Sequence, residues 1–282
     1  MQERLKIITE LIQQRNELAS SLKFHSEILQ IQQEIDSSST KGVREDCRAQ
    51  INVAELQKVS LETKKPIISH VDSTVFDYDV LLPLFEKIVK LLPEQNNSTP
   101  GLKKFLDPLK NNRIKLSTIV RAVMDEDATS IGTLAKELDV SPALLLHATS
   151  ALLQPCLEEI ARRIDTSFSN NWWQTNCPVC GRTPIVARVR NRRRHLLCTF
   201  CGAEYLSDRF VCVHCGNKDP YTLKFMASAD QPEFQMDFCT KCNHYVKIID
   251  EEKLKRPIPK GFEDILTLNV DIAAKDASLI RD

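Results

Sequence analysis

Eight of the ten cysteines fall into four Cys-x-x-Cys pairs: Cys177/Cys180, Cys198/Cys201, Cys212/Cys215 and Cys239/Cys242. Two thiolates separated by two residues can reach one tetrahedral metal ion if the backbone turns tightly between them. A glycine just after the second cysteine relieves the left-handed conformation of that turn, and Gly181, Gly202 and Gly216 stand there. Asn243 follows the fourth pair and is the next best residue at positive φ. One pair supplies two ligands and a closed site needs four, so four pairs make two sites with none left over.

Sequential pairing leaves 17 residues between Cys180 and Cys198 and 23 between Cys215 and Cys239, each enough for a ribbon hairpin. Only 10 separate Cys201 from Cys212, and pairing the second knuckle with the third is sterically admissible. Spacing favours two tandem modules. A closed four-thiolate site has no open position for water or substrate, so it can hold structure or pass an electron but cannot do Lewis-acid hydrolysis. Thiolate softness and tetrahedral geometry admit both zinc and iron. A dithiol cycling at one pair would leave its partner pair with an incomplete shell.

The elements around these knuckles change character along the chain. Apolar residues recur at helical spacing through residues 1–166, interrupted by only Gly42, Gly101 and Gly132, which predicts an all-α domain. Leu5, Ile8, Leu11, Ile12 and Leu18 mark one stripe, and Leu22, Ile28, Leu29, Ile31 and Ile35 a second. Further helices are expected over Val80–Leu92, Gly101–Lys110 and Lys115–Met124, and a long one from the Ser141–Pro142 start signal through Ile164. Residues 167–176 read as a linker, with Trp172 and Trp173 packing the metal region against the helices. The two ribbon modules occupy 177–206 and 207–250, and a tail of 251–282 carries a helix marked by Phe262, Ile265, Leu266, Leu268, Ile272 and Leu279. The fold class expected is α+β: a helical domain followed by two tandem rubredoxin-like or zinc-ribbon modules.

Net charge is zero over 282 residues. Neither a polybasic binder nor a disordered acidic chain is indicated. There is no secretory leader pattern and no apolar run approaching the ~20 residues of a membrane span, so a cytoplasmic protein without a membrane partner is expected. Ten cysteines without such a leader point to metal rather than disulfides.

Two signals suggest nucleic acid. Arg188, Arg190, Arg192, Arg193 and Arg194 crowd one hairpin, but the eleven Lys and Arg between Cys177 and Lys247 exceed six Asp and Glu by five, and two four-thiolate sites with divalent metals carry about −4. These arginines fit better as a solvated face balancing an anionic metal core, or as a docking surface for an acidic protein patch. Ser130–Leu153 has helix-turn-helix rhythm, yet its second helix opens Pro142-Ala143-Leu144-Leu145-Leu146, with no polar side chains for base edges, and is expected to be buried. Asp139 holds the turn position where glycine is favoured. Cys47 and Cys156 read as small core residues, and His214 and His244 as neighbours of a complete ligand set. No phosphate-cradling loop, nucleophile elbow or His-Glu-x-x-His helix is present, so no catalytic residues are expected and the chain is not read as an enzyme.

The knuckle flanks resemble those of formate dehydrogenase accessory proteins of the FdhE type: Cys177-Pro178-Val179-Cys180-Gly181 with Pro184, then Arg194, Leu196, Cys198, Glu204 and Tyr205, then Cys212/Cys215, and Cys239/Cys242 followed by Tyr245 and Lys247. A thinner similarity covers Leu22-Lys23-Phe24, Leu29 and Gln32. His195, Asp237 and Tyr205 depart from the family pattern without removing a ligand. The resemblance implies a helical domain with two rubredoxin-like modules holding two metal ions, iron first and zinc as the alternative. It also implies a maturation chaperone that binds the catalytic subunit of an exported molybdenum- or tungsten-dependent formate dehydrogenase. A metal-ribbon nucleic-acid regulator is the alternative reading.

Overall fold

The computed structural model describes residues 2–14, 19–36, 51–91, 102–172, 174–227, 230–258 and 260–281. Two compact units result: Met1–Asn52 with Ile68–Leu157, and Val53–Ile67 with Glu158–Asp282. No single helix among the described residues is long and apolar enough to cross a membrane.

Every named element of the first unit is a helix. The two N-terminal stripes form separate helices, α1 (Gln2–Gln14) and α2 (Ala19–Asp36); Leu18, counted in the first stripe, lies outside the described residues. Helix α3 (Val53–Thr63) belongs to the second unit. The expected helices then appear as α4 (Tyr78–Leu91), α5 (Leu102–Lys110) and α6 (Leu116–Met124), with α7 (Ala128–Glu137) before α8 (Pro142–Arg162). Leu81, Leu84, Phe85 and Ile88 of α4 turn one buried stripe to the core, where Phe85 meets Phe105 with ring centroids 5.9 Å apart. Gln32 is buried and donates to the Ala151 carbonyl at 2.7 Å, so this polar group does not go unpaired in the core.

Helices α7 and α8 bend by 104° about the expected turn, and Asp139 takes φ 57° there. Ser141 caps α8 by accepting from the Leu144 amide at 3.2 Å. Burial differs from expectation. Leu145, Ala148 and Leu152 face the core, but Pro142, Ala143 and Leu146 are exposed, because one stripe suffices to pack the helix. In the first two turns of α8, His147 is the one polar side chain exposed beside Pro142, Ala143 and Leu146, too few to read base edges. Cys156 is buried on α8, as a small core residue should be, whereas Cys47 lies outside the described residues.

In the second unit, Asp165 accepts from the Phe168 amide at 2.6 Å and caps a short helix, α9 (Thr166–Asn171), in the segment read as a linker. Asp165 also ties this helix to α3, accepting from Gln57 Nε2 at 3.2 Å while its amide donates to Gln57 Oε1 at 2.8 Å. Trp172 is buried against Phe168 and donates its indole N–H to the Asn176 carbonyl; Trp173 lies outside the described residues.

Six strands follow: β1 (Val186–Arg190), β2 (Arg193–Leu197), β3 (Glu204–Ser207), β4 (Leu223–Ala227), β5 (Phe234–Cys239) and β6 (Tyr245–Asp250). Each group of three is an antiparallel meander, and β1 pairs with β6 in parallel, Val186 opposite Lys247, giving the order β3-β2-β1-β6-β5-β4. The two ribbons therefore share one sheet. Positive φ at Asn191 and Arg192 gives the β1–β2 hairpin the turn whose twist matches right-handed strands.

The expected tail helix forms as two pieces, α10 (Glu263–Leu266) and α11 (Leu268–Asp276), broken at Thr267. Leu266 of α10 is buried, and α11 buries Val270 and Ala274 against Met236 and Tyr245, while Ile272 faces solvent. Beneath it Lys247 is 1% exposed and bonds Asp264 and Asp271, which also take Arg281. A lysine buried this deeply has to be paired.

Candidate metal centre

Each knuckle is built the same way. The amide four residues after the first cysteine donates to that cysteine's carbonyl: Gly181 to Cys177 at 2.9 Å, Gly202 to Cys198 at 2.8 Å, Gly216 to Cys212 at 2.9 Å and Asn243 to Cys239 at 2.8 Å. All four closing residues have positive φ, from 58° at Asn243 to 83° at Gly181, so the residue types read in the sequence match the backbone they must adopt. A Cβ at Gly202 would lie 2.6 Å from Lys260 Cε, the far end of an exposed side chain that can move aside, so the positive φ is what favours glycine there.

The knuckles converge sequentially. Cys177, Cys180, Cys198 and Cys201 form one group and Cys212, Cys215, Cys239 and Cys242 the other, with the sulfurs of each group all within 4.8 Å of one another. Closest sulfur pairs are 3.4 Å (Cys180–Cys198) and 3.5 Å (Cys177–Cys201) in the first group, and 3.6 Å (Cys212–Cys242) and 3.8 Å (Cys215–Cys239) in the second. A tetrahedron with metal–sulfur bonds of ~2.3 Å has sulfur–sulfur edges of about 3.8 Å. The donor sets therefore fit: each group could hold one thiophilic metal ion.

The two groups differ in surroundings. All four sulfurs of the first are buried, and Val179 between two of them is fully buried. In the second, Cys215 is exposed and Cys242 half-buried. Burial pushes the Cys180 and Cys201 thiols well above their ordinary range and Cys212 up to about 12. Cys239 is also pushed up by burial, but amides of Cys242 and Lys241 and the Asn217 side chain donate to its sulfur and hold it down at about 7. Backbone N–H groups thus favour the thiolate a metal requires. His214 and His244 stack with ring centroids 4.7 Å apart beside the second group and are not among its converging atoms.

The five arginines separate by role. Arg188 donates to Glu251 and Glu263, each at 2.6 Å, and to the Ile258 carbonyl at 3.1 Å. Arg190 bonds Glu251 and Glu204. Arg194 is buried, donates to Ser207, to the carbonyls of Asp208 and Val211, and stands 3.6 Å from Asp237. Burial lowers the Arg194 guanidinium and raises Asp237, so both partners bear a desolvation cost. Arg192 and Arg193 remain exposed. The hairpin read as a solvated basic face is in large part an internal ion-pair frame. Nothing local marked Glu251 and Glu263 as its partners. Asn217, also missed, donates to Cys239 Sγ at 3.5 Å; its place just after Gly216 was the available signal.

No protein-family model matches the chain. It is 26% identical over 211 residues to a protein from Aquifex aeolicus named Protein FdhE homolog, a match covering 73% of this chain and 69% of that one. A second protein of that name, from Stutzerimonas stutzeri, is 30% identical over 151 residues, covering 49% of this chain and 44% of the relative's length. The crystal structure of the FdhE protein from Pseudomonas aeruginosa shares the fold with a TM-score of 0.62 at 18% identity, over 99% of this chain and 92% of that one.

Proposed function

We propose, from the premise that the chain belongs with the FdhE family, that it is a formate dehydrogenase accessory protein that binds the catalytic subunit of an exported molybdenum- or tungsten-dependent enzyme in the cytoplasm and supports its assembly. The observation that carries the reading is the pair of four-cysteine groups: each brings four thiolates to one point, which suits a structural or electron-passing ion and leaves no ligand position for substrate. The eight cysteines named above are the proposed ligands, with iron as the first ion and zinc as the alternative. The chain is read as a binding protein, not an enzyme.

Co-purification with a formate dehydrogenase catalytic subunit is the expected result, together with loss of formate oxidation in a deletion strain; normal oxidation in that strain would refute the role. Cys177→Ser/Cys180→Ser should lose one metal equivalent and the accessory function together. Reversible visible absorbance on reduction would identify iron, and a colourless protein zinc. The nucleic-acid alternative loses support, because Arg188, Arg190 and Arg194 are engaged internally.

A further inference from the structure

Strand β4 ends the sheet order and pairs with β5 alone among the described residues, yet Lys224, Phe225, Met226 and Ala227 along it are all exposed. Phe225 is 75% exposed, and Phe210, on the loop leading to the third knuckle, 63%. Natural sheets normally blunt an edge with charge or a short strand, and apolar side chains left open on an edge mark a surface that receives another chain. Between this loop and β4–β5 lies a mainly apolar hollow of about 250 Å³, with Phe210, Phe225, Phe238 and Val246 on its wall beside Asp237 and the second-group cysteines Cys212 and Cys239. That is below the roughly 300–1,000 Å³ of small-molecule pockets and suits a single apolar side chain.

A second hollow of about 480 Å³ adjoins it, sharing Arg194, Arg209 and Val211. Its lining includes Arg192, Arg193, Arg209 and Lys218, all exposed, against Asp208 as the single carboxylate among the described lining residues. The unit thus presents an apolar socket next to a cationic trough. We propose that this surface docks an extended acidic segment of a partner polypeptide, with one aromatic or aliphatic side chain in the socket and its carboxylates along the trough. Charge selects this occupant over a second copy of the chain, which would set this cationic surface against itself. The inference rests on the accessory reading for the partner's identity, but not for its chemistry.

The full-length chain with its metals is titrated by fluorescence anisotropy against two probe sets: overlapping short peptides covering a formate dehydrogenase catalytic subunit, and a designed Glu-rich peptide with one Phe beside its Lys-for-Glu counterpart. Acidic peptides with an aromatic or aliphatic residue should bind, with affinity falling as salt rises. Arg193→Glu/Arg209→Glu and Phe210→Ser/Phe225→Ser should each weaken that binding about tenfold or more. All four positions are exposed, so both variants should keep the wild-type circular dichroism spectrum. If the designed acidic probe binds with these dependences while no formate dehydrogenase peptide does, the surface stands and the accessory reading fails. If the catalytic subunit co-purifies equally with wild type and both variants, the accessory reading stands and this docking surface is overturned. Equal binding of the Lys-for-Glu probe, or a dimer dissolved by Phe225→Ser in sedimentation, also overturns it.

Discussion

Arg188→Met removes the cation that joins β1 to the segment after β6. Three hydrogen bonds go with it: to Glu251, to Glu263 and to the Ile258 carbonyl. Glu251 keeps Arg190 as a partner, but the Glu263 side chain is only 2% exposed and keeps the Gly261 amide alone. Leaving a buried charge without its counter-ion costs ~3–5 kcal/mol, whereas replacing both charges is far milder. We expect Arg188→Met to cost about 3 kcal/mol, a fall of about 1.5 M in urea midpoint for a slope of ~2 kcal/mol/M. Buried Trp172 in the same unit reports the transition by fluorescence. Arg188→Met/Glu263→Gln should recover at least half of the loss, since glutamine still accepts from Gly261 without a stranded charge. Arg192→Ser, on the exposed turn, should change stability by less than ~0.5 kcal/mol. A loss below ~1 kcal/mol for Arg188→Met, or a double variant no better than the single, would refute the ion-pair frame.

Glu251 is held at about 2, chiefly by hydrogen bonds from Arg190 and also Arg188, against its ordinary 4.5. A depressed carboxyl stabilises above its unfolded value and loses that contribution as pH falls from about 4.5 toward 2; with Arg190 partly in solvent, about 2 kcal/mol is at stake. Glu251→Gln should flatten the drop in urea midpoint between pH 5 and 3, and an unchanged slope would count against this. Metal release to a chromogenic chelator should be biphasic with equal amplitudes, the fast phase abolished by Cys215→Ser, because only the second group has an exposed sulfur; a single phase in the wild type would contradict the asymmetry. Gly202→Ala should cost ~1–2 kcal/mol in thermal unfolding for its positive φ, since the nearby Lys260 side chain can move aside. Asn243→Gly should be near neutral, and equal effects at the two positions would remove the conformational argument.

The metal groups were legible because their determinants are local. Cys-x-x-Cys followed by glycine or asparagine carries both the ligands and the turn that aims them, and the spacing favoured the sequential pairing found. Ser141–Pro142 likewise announced α8. The unread features depend on residues far apart in sequence. Val186 opposite Lys247 gives no periodic sign of a parallel pairing, so the joining of the two expected ribbons into one sheet was not foreseen. Arg188 and Arg190 looked solvent-facing because they alternate with apolar residues, but alternation does not say what covers their face, and Arg194, opposite Val189, lies on the other one. The segment read as a linker holds a helix capped by Asp165 just before it, and the tie of Asp165 to Gln57 crosses 108 positions. On the tail, Phe262 and Leu266 are buried as expected, but Val270 and Ala274 pack against the sheet while Ile272 faces solvent.

The parallel seam between β1 and β6 also sets an order of assembly during synthesis. The first cysteine group is complete once Cys201 has emerged, and its meander once β3 has, but β1 keeps an open flank until Lys247–Asp250 are made. At ~5–20 residues per second, the stretch from Val186 to Lys247 takes roughly 3–12 s. From Cys201 onward the nascent chain has all four cysteines of the first group beside a β1 whose outer flank is open, and the second meander closes the seam with the same strand, β6, that follows the last knuckle. Completion of the sheet is thereby a record that the whole second cysteine group has been synthesised.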